Sequence, residues 1–204
     1  MGSYRIAVFA SGTGSNFQAL AEAQRNGTLG GEIALLVSDK PHAPVVEKAR
    51  KTGIDSFVFK PKDYALREDY EREIAEELER RGVDLIVLAG YMRLLTSVLV
   101  EPYHGRMINI HPSLLPSFAG KNAIGQALDY GVKMTGVTVH FVDGGMDTGP
   151  VIAQRAVDIL PGDDENSLAA RIHAVEQQLY PEVVSWFAQD RVRLDGRNVT
   201  IAAQ

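Results

Sequence analysis

Two polar side chains occupy alternate positions near the end of an apolar run, "MINIHPSLLPS". Asn109 and His111 are two residues apart, so their side chains lie on one face as long as the run stays extended. Farther along, "VDGGMDTGP" carries Asp147 in a loop bordered by glycines. A carboxylate next to an imidazole favours the imidazolium, and an amide donor beside an imidazolium suits a developing oxyanion. A single histidine near a strand end is more often structural than catalytic, and Asp147 is what favours a catalytic interpretation.

This constellation contains no nucleophile of its own. The chain has no cysteine, and no serine stands in the context of a nucleophile elbow. The chemistry that fits is a group transfer in which the substrate brings the nucleophile. His42, His104 and His173 show no ligand spacing with one another, so no metal site is predicted. His140, in the middle of a predicted strand, is interpreted as a packing or pocket-wall residue.

A second candidate site is the glycine turn "SGTGSN", which follows a predicted first strand and opens a predicted helix. Glycines let the backbone approach a ligand closely, and free N–H groups at a helix start favour an anion. The turn is not a Walker A loop, and Phe17 replaces the third glycine of the dinucleotide fingerprint, although Asp39 could imitate its ribose-binding acid. A plain strand-to-helix connection is about as common. Among ligands, a phosphate monoester is favoured over NAD, with Ser15 and Asn16 as further donors.

The elements that must position these groups alternate between strands and helices. Buried strands are predicted at "YRIAVFA", "EIALLVSD", "DLIVLAG" and "MINI", with "DSFVFK" as a further candidate. An amphipathic helix is predicted in the charged stretch that begins at Asp63, with Gly82 just past its end. A longer helix is predicted from about Ser167, and Pro181 is expected to kink or split it. "TGVTVHFVD" alternates, which favours a position nearer a sheet edge, and "PVIAQRAVDI" continues as strand. Asp195-Gly196 predicts a hairpin turn in the tail.

This pattern predicts an α/β fold with a mostly parallel central sheet flanked by helices. Ligands of such sheets bind at the carboxyl ends of the strands. The loops expected to form one surface there are Ser11–Asn16, Gly90–Leu94, Asn109–Ser113 and Asp143–Asp147.

Length and composition limit the class of protein. A chain of 204 residues with 45% hydrophobic and 23% charged residues fits one globular domain. A net charge of −5 argues against a general nucleic-acid surface. The absence of cysteine fits the reducing cytoplasm, and no segment approaches the length of a membrane span. We predict a cytoplasmic protein without nucleic-acid or membrane partners.

Five segments together resemble the phosphoribosylglycinamide formyltransferases of the folate-dependent formyltransferase family. They are "FASGTGSN", "LAGYMRLL", "MINIHPSLLPSF", "TGVTVHFVDGGMDTGPVIAQ" and "LYPEVVSWF". The resemblance extends to about Phe187 and implies a single Rossmann-like formyltransferase domain, 1–204. It implies a ribonucleotide phosphate-binding half at 1–100, a catalytic and folate-binding half at 101–190 and a hairpin tail at 191–204. Methionyl-tRNA formyltransferases and formyltetrahydrofolate hydrolases resemble the same core, but they carry an additional domain.

The resemblance also implies roles for individual residues. The implied catalytic residues are Asn109, His111 and Asp147. The implied phosphate site for 5-phosphoribosylglycinamide consists of Gly12, Thr13, Gly14, Ser15 and Asn16, and the rest of that substrate would contact His173 and Glu176. The implied contacts for the co-substrate, 10-formyltetrahydrofolate, are Arg67, Met92, Arg93, Leu94, Leu95, Asn109, Asp143, Gly144, Gly145, Met146 and Asp147. The segment "SFAGKNAIGQAL" departs from the Pro-Gly-x-His version of some members, which leaves the role of Ala119–Ile124 open.

The implied reaction is direct attack of the ribonucleotide amine on the formyl group, a step of de novo purine (IMP) biosynthesis. No metal or covalent enzyme intermediate is required. Two alternatives stay open: a 10-formyltetrahydrofolate hydrolase, which shares every catalytic residue, and a non-catalytic Rossmann-like nucleotide-binding module. The sequence also leaves a homodimer open.

Overall fold

A central sheet organises the computed structural model, which describes residues 3–203. The strands are β1 (Tyr4–Phe9), β2 (Gly31–Ser38), β3 (Ser56–Val58), β4 (Leu85–Leu88), β5 (Met107–His111), β6 (Met134–Phe141), β7 (Val151–Asp158), β8 (Val192–Asp195) and β9 (Asn198–Ile201). The helices are α1 (Ser15–Arg25), α2 (Pro44–Thr52), α3 (Arg67–Arg80), α4 (Ser97–Val100), α5 (Ala123–Tyr130) and α6 (Glu165–Ala188).

The sheet has seven strands in the order β3-β2-β1-β4-β5-β6-β7, and β8 and β9 form a separate hairpin. Every pairing from β3 across to β5 is parallel, whereas β6 and β7 are antiparallel to their neighbours. The predicted α/β fold with a mostly parallel sheet is therefore confirmed. As expected from its alternation, β6 lies near an edge, one strand in from the edge strand β7.

The central strands are apolar throughout because helices cover both faces of the sheet. Ile6 and Val8 of β1 belong to one core cluster, which includes side chains of α1 and α6. Ala7 and Phe9 belong to the other, which includes side chains of α3. Alternate residues of a strand point to opposite faces, so neither face of β1 could tolerate polar residues.

Helix α6 fixes the strands that lead to the candidate site. The buried Tyr180 hydroxyl contacts the carbonyl oxygens of Leu88, at 2.7 Å, and Ile108, at 3.2 Å. The expected split at Pro181 is wrong, because α6 runs without interruption across it. Proline removes one backbone hydrogen bond, but buried Val183 and Val184 continue the helix packing beyond it.

The tail forms the predicted hairpin, with its turn one residue later than expected. Asp195 pairs with Asn198, so the two turn residues are Gly196 and Arg197. Gly196 has a positive φ of 58°, the conformation in which glycine is favoured.

Candidate active site

The carboxylate of Asp147 lies between two imidazoles beside the end of β5. Its Oδ2 is 3.4 Å from His111 Nδ1, and its Oδ1 is 3.7 Å from His140 Nε2. Asn109 Nδ2 is 3.3 Å from that same nitrogen of His140. The structure thus brings together the three residues predicted from sequence and adds His140, the register partner of Asn109 on β6.

The hydrogen bonds of His140 determine how Asn109 is presented. His140 Nδ1 is 2.8 Å from the carbonyl oxygen of Phe141; because a carbonyl only accepts, Nδ1 carries the proton. Burial lowers the pKa of His140, which favours the neutral ring. Its Nε2 therefore accepts from the Asn109 amide, which keeps one N–H and its oxygen for a ligand. The interpretation of His140 as a wall residue missed this contact, which its position opposite Asn109 could have indicated.

The segment after β5 holds the other two groups. His111 Nε2 donates to the carbonyl oxygen of Phe118 at 2.9 Å, which turns Nδ1 towards Asp147. The backbone N–H of Gly120 donates to Asp147 Oδ2 at 2.8 Å. Phe118 and Gly120 both have positive φ, 55° and 81°. Gly120, within the segment Ala119–Ile124 whose role the sequence left open, therefore orients the carboxylate, and Phe118, just before that segment, orients the imidazole.

The loop that carries Asp147 is closed by its own hydrogen bonds. Asp143 Oδ1 accepts from the Gly145 N–H at 2.9 Å and from Thr148 Oγ1 at 2.6 Å. Burial acts to raise the pKa of Asp143, but these two hydrogen bonds, together with the electrostatic effects of His140 and Arg197, outweigh it and the pKa is lowered. Arg197 of the terminal hairpin donates to the Thr148 carbonyl at 3.0 Å, so the tail packs against the loop of its own chain.

The glycine turn at the start of α1 has the form of an anion site. Gly14 has a φ of 72°, and a Cβ there would lie 2.5 Å from Val45 Cγ2, so only glycine fits. A Cβ on Gly12 would meet nothing within 4 Å, so the space beside it is open. No side chain caps α1, and its first turn has no acidic residue. The N–H groups of that turn are therefore available to an anion.

A buried contact joins the glycine turn to α6. Asn16 Nδ2 donates to Glu176 Oε2 at 3.2 Å, and both side chains are buried. Burial raises the pKa of Glu176, while His173, the Asn16 hydrogen bond and His111 offset part of this effect. His173 itself is exposed. A carboxylate thus lies next to the predicted phosphate site, where an amine-bearing ligand could contact it.

A pocket of about 310 Å³ opens beside Asp147. The lining residues predicted from the resemblance are Arg67, Arg93, Leu94, Leu95, Asn109, Asp143, Gly144, Gly145, Met146 and Asp147. Met92 does not line it, and its side chain is 72% exposed. His140, interpreted from sequence as a packing or pocket-wall residue, also lines it, and the sequence missed three further lining residues, Leu88, Tyr91 and Val142. We call this cavity the Asp147 pocket.

The Asp147 pocket is not the largest concavity. A groove of about 620 Å³ lies between α1 and α2, but it contains none of the predicted catalytic residues. Convergent hydrogen-bonding groups mark a functional site better than volume does, and these belong to the Asp147 pocket. Within residues 3–203, no group of three or more histidine or acidic side chains could hold a metal ion. The helices in the same range are all too short or too polar to cross a bilayer.

The fold and site fit a class of protein: an α/β enzyme for group transfer, in which Asn109, His111 and Asp147 meet beside a pocket. Residues 4–184 match the formyl transferase family, and the chain belongs to that family. Phosphoribosylglycinamide formyltransferase of Bacillus subtilis is 49% identical over 180 residues, 88% of this chain and 92% of the relative.

Solved structures extend this similarity to the fold. Glycinamide ribonucleotide transformylase 1 of Symbiobacterium toebii superimposes with a TM-score of 0.96 at 44% identity, covering 98% of this chain and 95% of the other. The corresponding enzyme of Geobacillus kaustophilus gives a TM-score of 0.90 at 54% identity, over 92% and 100%. The resemblance predicted from sequence is therefore confirmed, as is the prediction of a one-carbon group transferase. Formyltetrahydrofolate is the co-substrate of this family, as predicted.

Proposed function

We propose that this chain transfers the formyl group of 10-formyltetrahydrofolate to the primary amine of 5-phosphoribosylglycinamide, in de novo purine biosynthesis. One observation carries the proposal: the Asn109–His111–Asp147 cluster adjoins the Asp147 pocket, and His111 also acts electrostatically on Glu176, which bonds Asn16 of the glycine turn. A folate in the pocket and a ribonucleotide phosphate on the turn would bring formyl group and amine to this cluster. The names of the relatives support the same substrate pair.

In the proposed reaction the neutral amine attacks the formyl carbon, and the new C–N bond forms as the formyl oxygen becomes an oxyanion. The second N–H of Asn109 donates to that oxygen. His111 donates from Nδ1, because its Nε2–H is already committed to Phe118. When the intermediate collapses, the bond to N10 of the folate breaks. N10 then takes up a proton, and the former amine loses one.

Asp147 Oδ2 lies 3.4 Å from His111 Nδ1. This carboxylate pairs with the imidazole and accepts the proton of the attacking amine, directly or through a water. The Gly120 N–H keeps the carboxylate in place for this role. Alignment of two bound substrates can contribute roughly 7–11 kcal/mol to such a reaction. Loss of one oxyanion donor typically costs on the order of 10²–10³ in rate.

The division of the domain into a phosphate-binding half, 1–100, and a catalytic and folate-binding half, 101–190, is part of the proposal. The Asp147 pocket takes residues from both, since Arg67 and Arg93 precede position 101. We expect the folate to bind across the boundary and the ribonucleotide phosphate to bind on the first half. Both partners are small molecules.

The test is spectrophotometric release of deformylated folate from 10-formyltetrahydrofolate, with and without 5-phosphoribosylglycinamide. Release that requires the ribonucleotide, with formylated ribonucleotide as product, is expected. Release at the same rate without the ribonucleotide would show that the protein hydrolyses 10-formyltetrahydrofolate instead of transferring its formyl group. No release in either mixture would favour a non-catalytic binding module.

A further inference from the structure

A buried carboxylate outside the proposed reaction links the two substrate regions. Asp39 follows β2, and its side chain is 1% exposed. Its Oδ1 accepts from Ser11 Oγ at 2.5 Å, and its Oδ2 accepts from Arg93 Nε at 2.9 Å. The sequence likened Asp39 to a ribose-binding acid, but both of its oxygens have protein partners.

Ser11 connects this carboxylate to the wall of the Asp147 pocket. Its hydroxyl donates to Asp39 and accepts from the Met92 N–H at 3.0 Å. Its own N–H donates to the Gly90 carbonyl at 3.1 Å. Ser11 directly precedes Gly12, the first residue of the proposed phosphate site. The segment 90–92 is therefore bonded at two points to the residue beside the proposed phosphate site.

Arg93 is the end of this network that reaches the ligand. Its side chain is 40% exposed and lines the Asp147 pocket. The bond from Nε to Asp39 is the only hydrogen bond of its guanidinium within residues 3–203. A guanidinium is planar, so fixing Nε fixes the direction of both terminal nitrogens. Those two nitrogens are left for a group in the pocket.

We propose that Asp39 is a positioning residue: it orients Arg93 towards the folate and, through Ser11, ties the folate wall to the glycine turn. This inference rests on the proposed function, since it takes the occupant of the Asp147 pocket to be a folate. The role demands a carboxylate. An asparagine at position 39 would have one side-chain oxygen for two donors. It would either face Arg93 Nε–H with its own NH2 or leave the Ser11 hydroxyl hydrogen without an acceptor.

The first experiment compares Asp39→Asn with the wild-type enzyme in steady-state kinetics and in calorimetric binding of tetrahydrofolate alone. We expect the KM for 10-formyltetrahydrofolate and the Kd for tetrahydrofolate to rise about tenfold, as for a lost charged hydrogen bond. The KM for the ribonucleotide and kcat should stay close to wild type. The matched control is Ser38→Ala. Ser38 is fully buried next to Asp39 but bonds only the Lys40 backbone through its side chain, so both KM values should be unchanged.

A double-mutant cycle tests whether Asp39 acts through Arg93. In an Arg93→Ala background, Asp39→Asn should add little to the rise in folate KM, because the group that it orients is gone. Ser11→Ala gives a second variant if Asp39→Asn does not fold, and it should raise the folate KM about threefold. Unchanged folate binding in both variants, or full additivity in the cycle, would overturn the inference. Tetrahydrofolate binding does not require formyl transfer. Wild-type enzyme that binds tetrahydrofolate but does not transfer the formyl group would therefore overturn the proposed function and leave the inference about Asp39 standing.

Discussion

The glycine turn and the Asp147 cluster present their polar groups in opposite ways. At the glycine turn, no side chain caps the backbone N–H groups at the start of α1. At the cluster, every polar side chain is held by another protein group: Asn109 by His140, His111 by Phe118 and Asp147 by Gly120. An open set of neutral donors suits the binding of a charged ligand. A set fixed in advance suits the stabilisation of charge that develops during reaction.

This comparison predicts two kinds of defect. Changes in the cluster should lower kcat, because its contacts strengthen when charge develops. Changes at the glycine turn should weaken ribonucleotide binding, because those contacts are the same before and during reaction.

The largest effect is expected for the cluster itself. His111→Ala and Asp147→Asn should each lower kcat by a factor on the order of 10²–10³. The first removes a donor to the formyl oxygen, and the second removes the acceptor of the amine proton. The Kd values of both substrates, measured by calorimetry, should change little. Near-normal turnover in either variant would mean that the group has no part in the reaction.

A smaller kcat effect is expected for His140, which acts through Asn109. His140→Leu removes the acceptor that orients the amide and should lower kcat about tenfold. His140→Gln is the matched control, because its side-chain oxygen can still accept from Asn109 Nδ2. Equal losses in the two variants would show that the imidazole is needed for packing and not for its lone pair.

The sequence predicted the grouping of the cluster, but its argument was incomplete. The rule that loops meet at the carboxyl ends of parallel strands does not apply to β6, which is antiparallel to β5. Asp147 reaches His111 because the loop between β6 and β7 folds back over the sheet. A Cβ on Gly149 would lie 1.8 Å from the Phe141 carbonyl oxygen, so this return requires glycine. Asp147 itself adopts a φ of 55°.

Other contacts could not be read from residue spacing. The pattern of apolar and polar positions predicts strands and helices, and its continuous apolar runs placed β1, β4 and β5 correctly. It carries no information on which carbonyl an imidazole will face. The roles of Phe118 and Gly120 depend on backbone conformations with positive φ, and only the glycine could have suggested this. The Ser11–Asp39–Arg93 network depends on strand order, because Asp39 and Arg93 are far apart in the chain.

At the glycine turn, Asn16→Ala tests the binding half of the comparison. The variant should weaken ribonucleotide binding about fivefold through the loss of one donor, with kcat nearly unchanged. Gln18→Ala is the control on the same helix, since Gln18 is exposed and bonds only Glu22. Calorimetric titration with 5-phosphoribosylglycinamide measures both. Unchanged affinity in Asn16→Ala would remove that side chain from the phosphate site.

The smallest effect concerns stability at the contact between the two regions. Burial raises the pKa of Glu176 above its ordinary 4.5, so the native state holds this proton to higher pH than the unfolded chain does. Wild-type stability should therefore fall as pH rises through the raised pKa. Glu176→Gln cannot ionise, so its Tm relative to wild type should increase by a few degrees between about pH 5 and about pH 8. Glu182→Gln on the half-exposed side of α6 is the control for the loss of a carboxylate from this helix. The Tm values are measured without substrates. A Tm difference between Glu176→Gln and wild type that does not change with pH would mean that folding does not raise the pKa of Glu176.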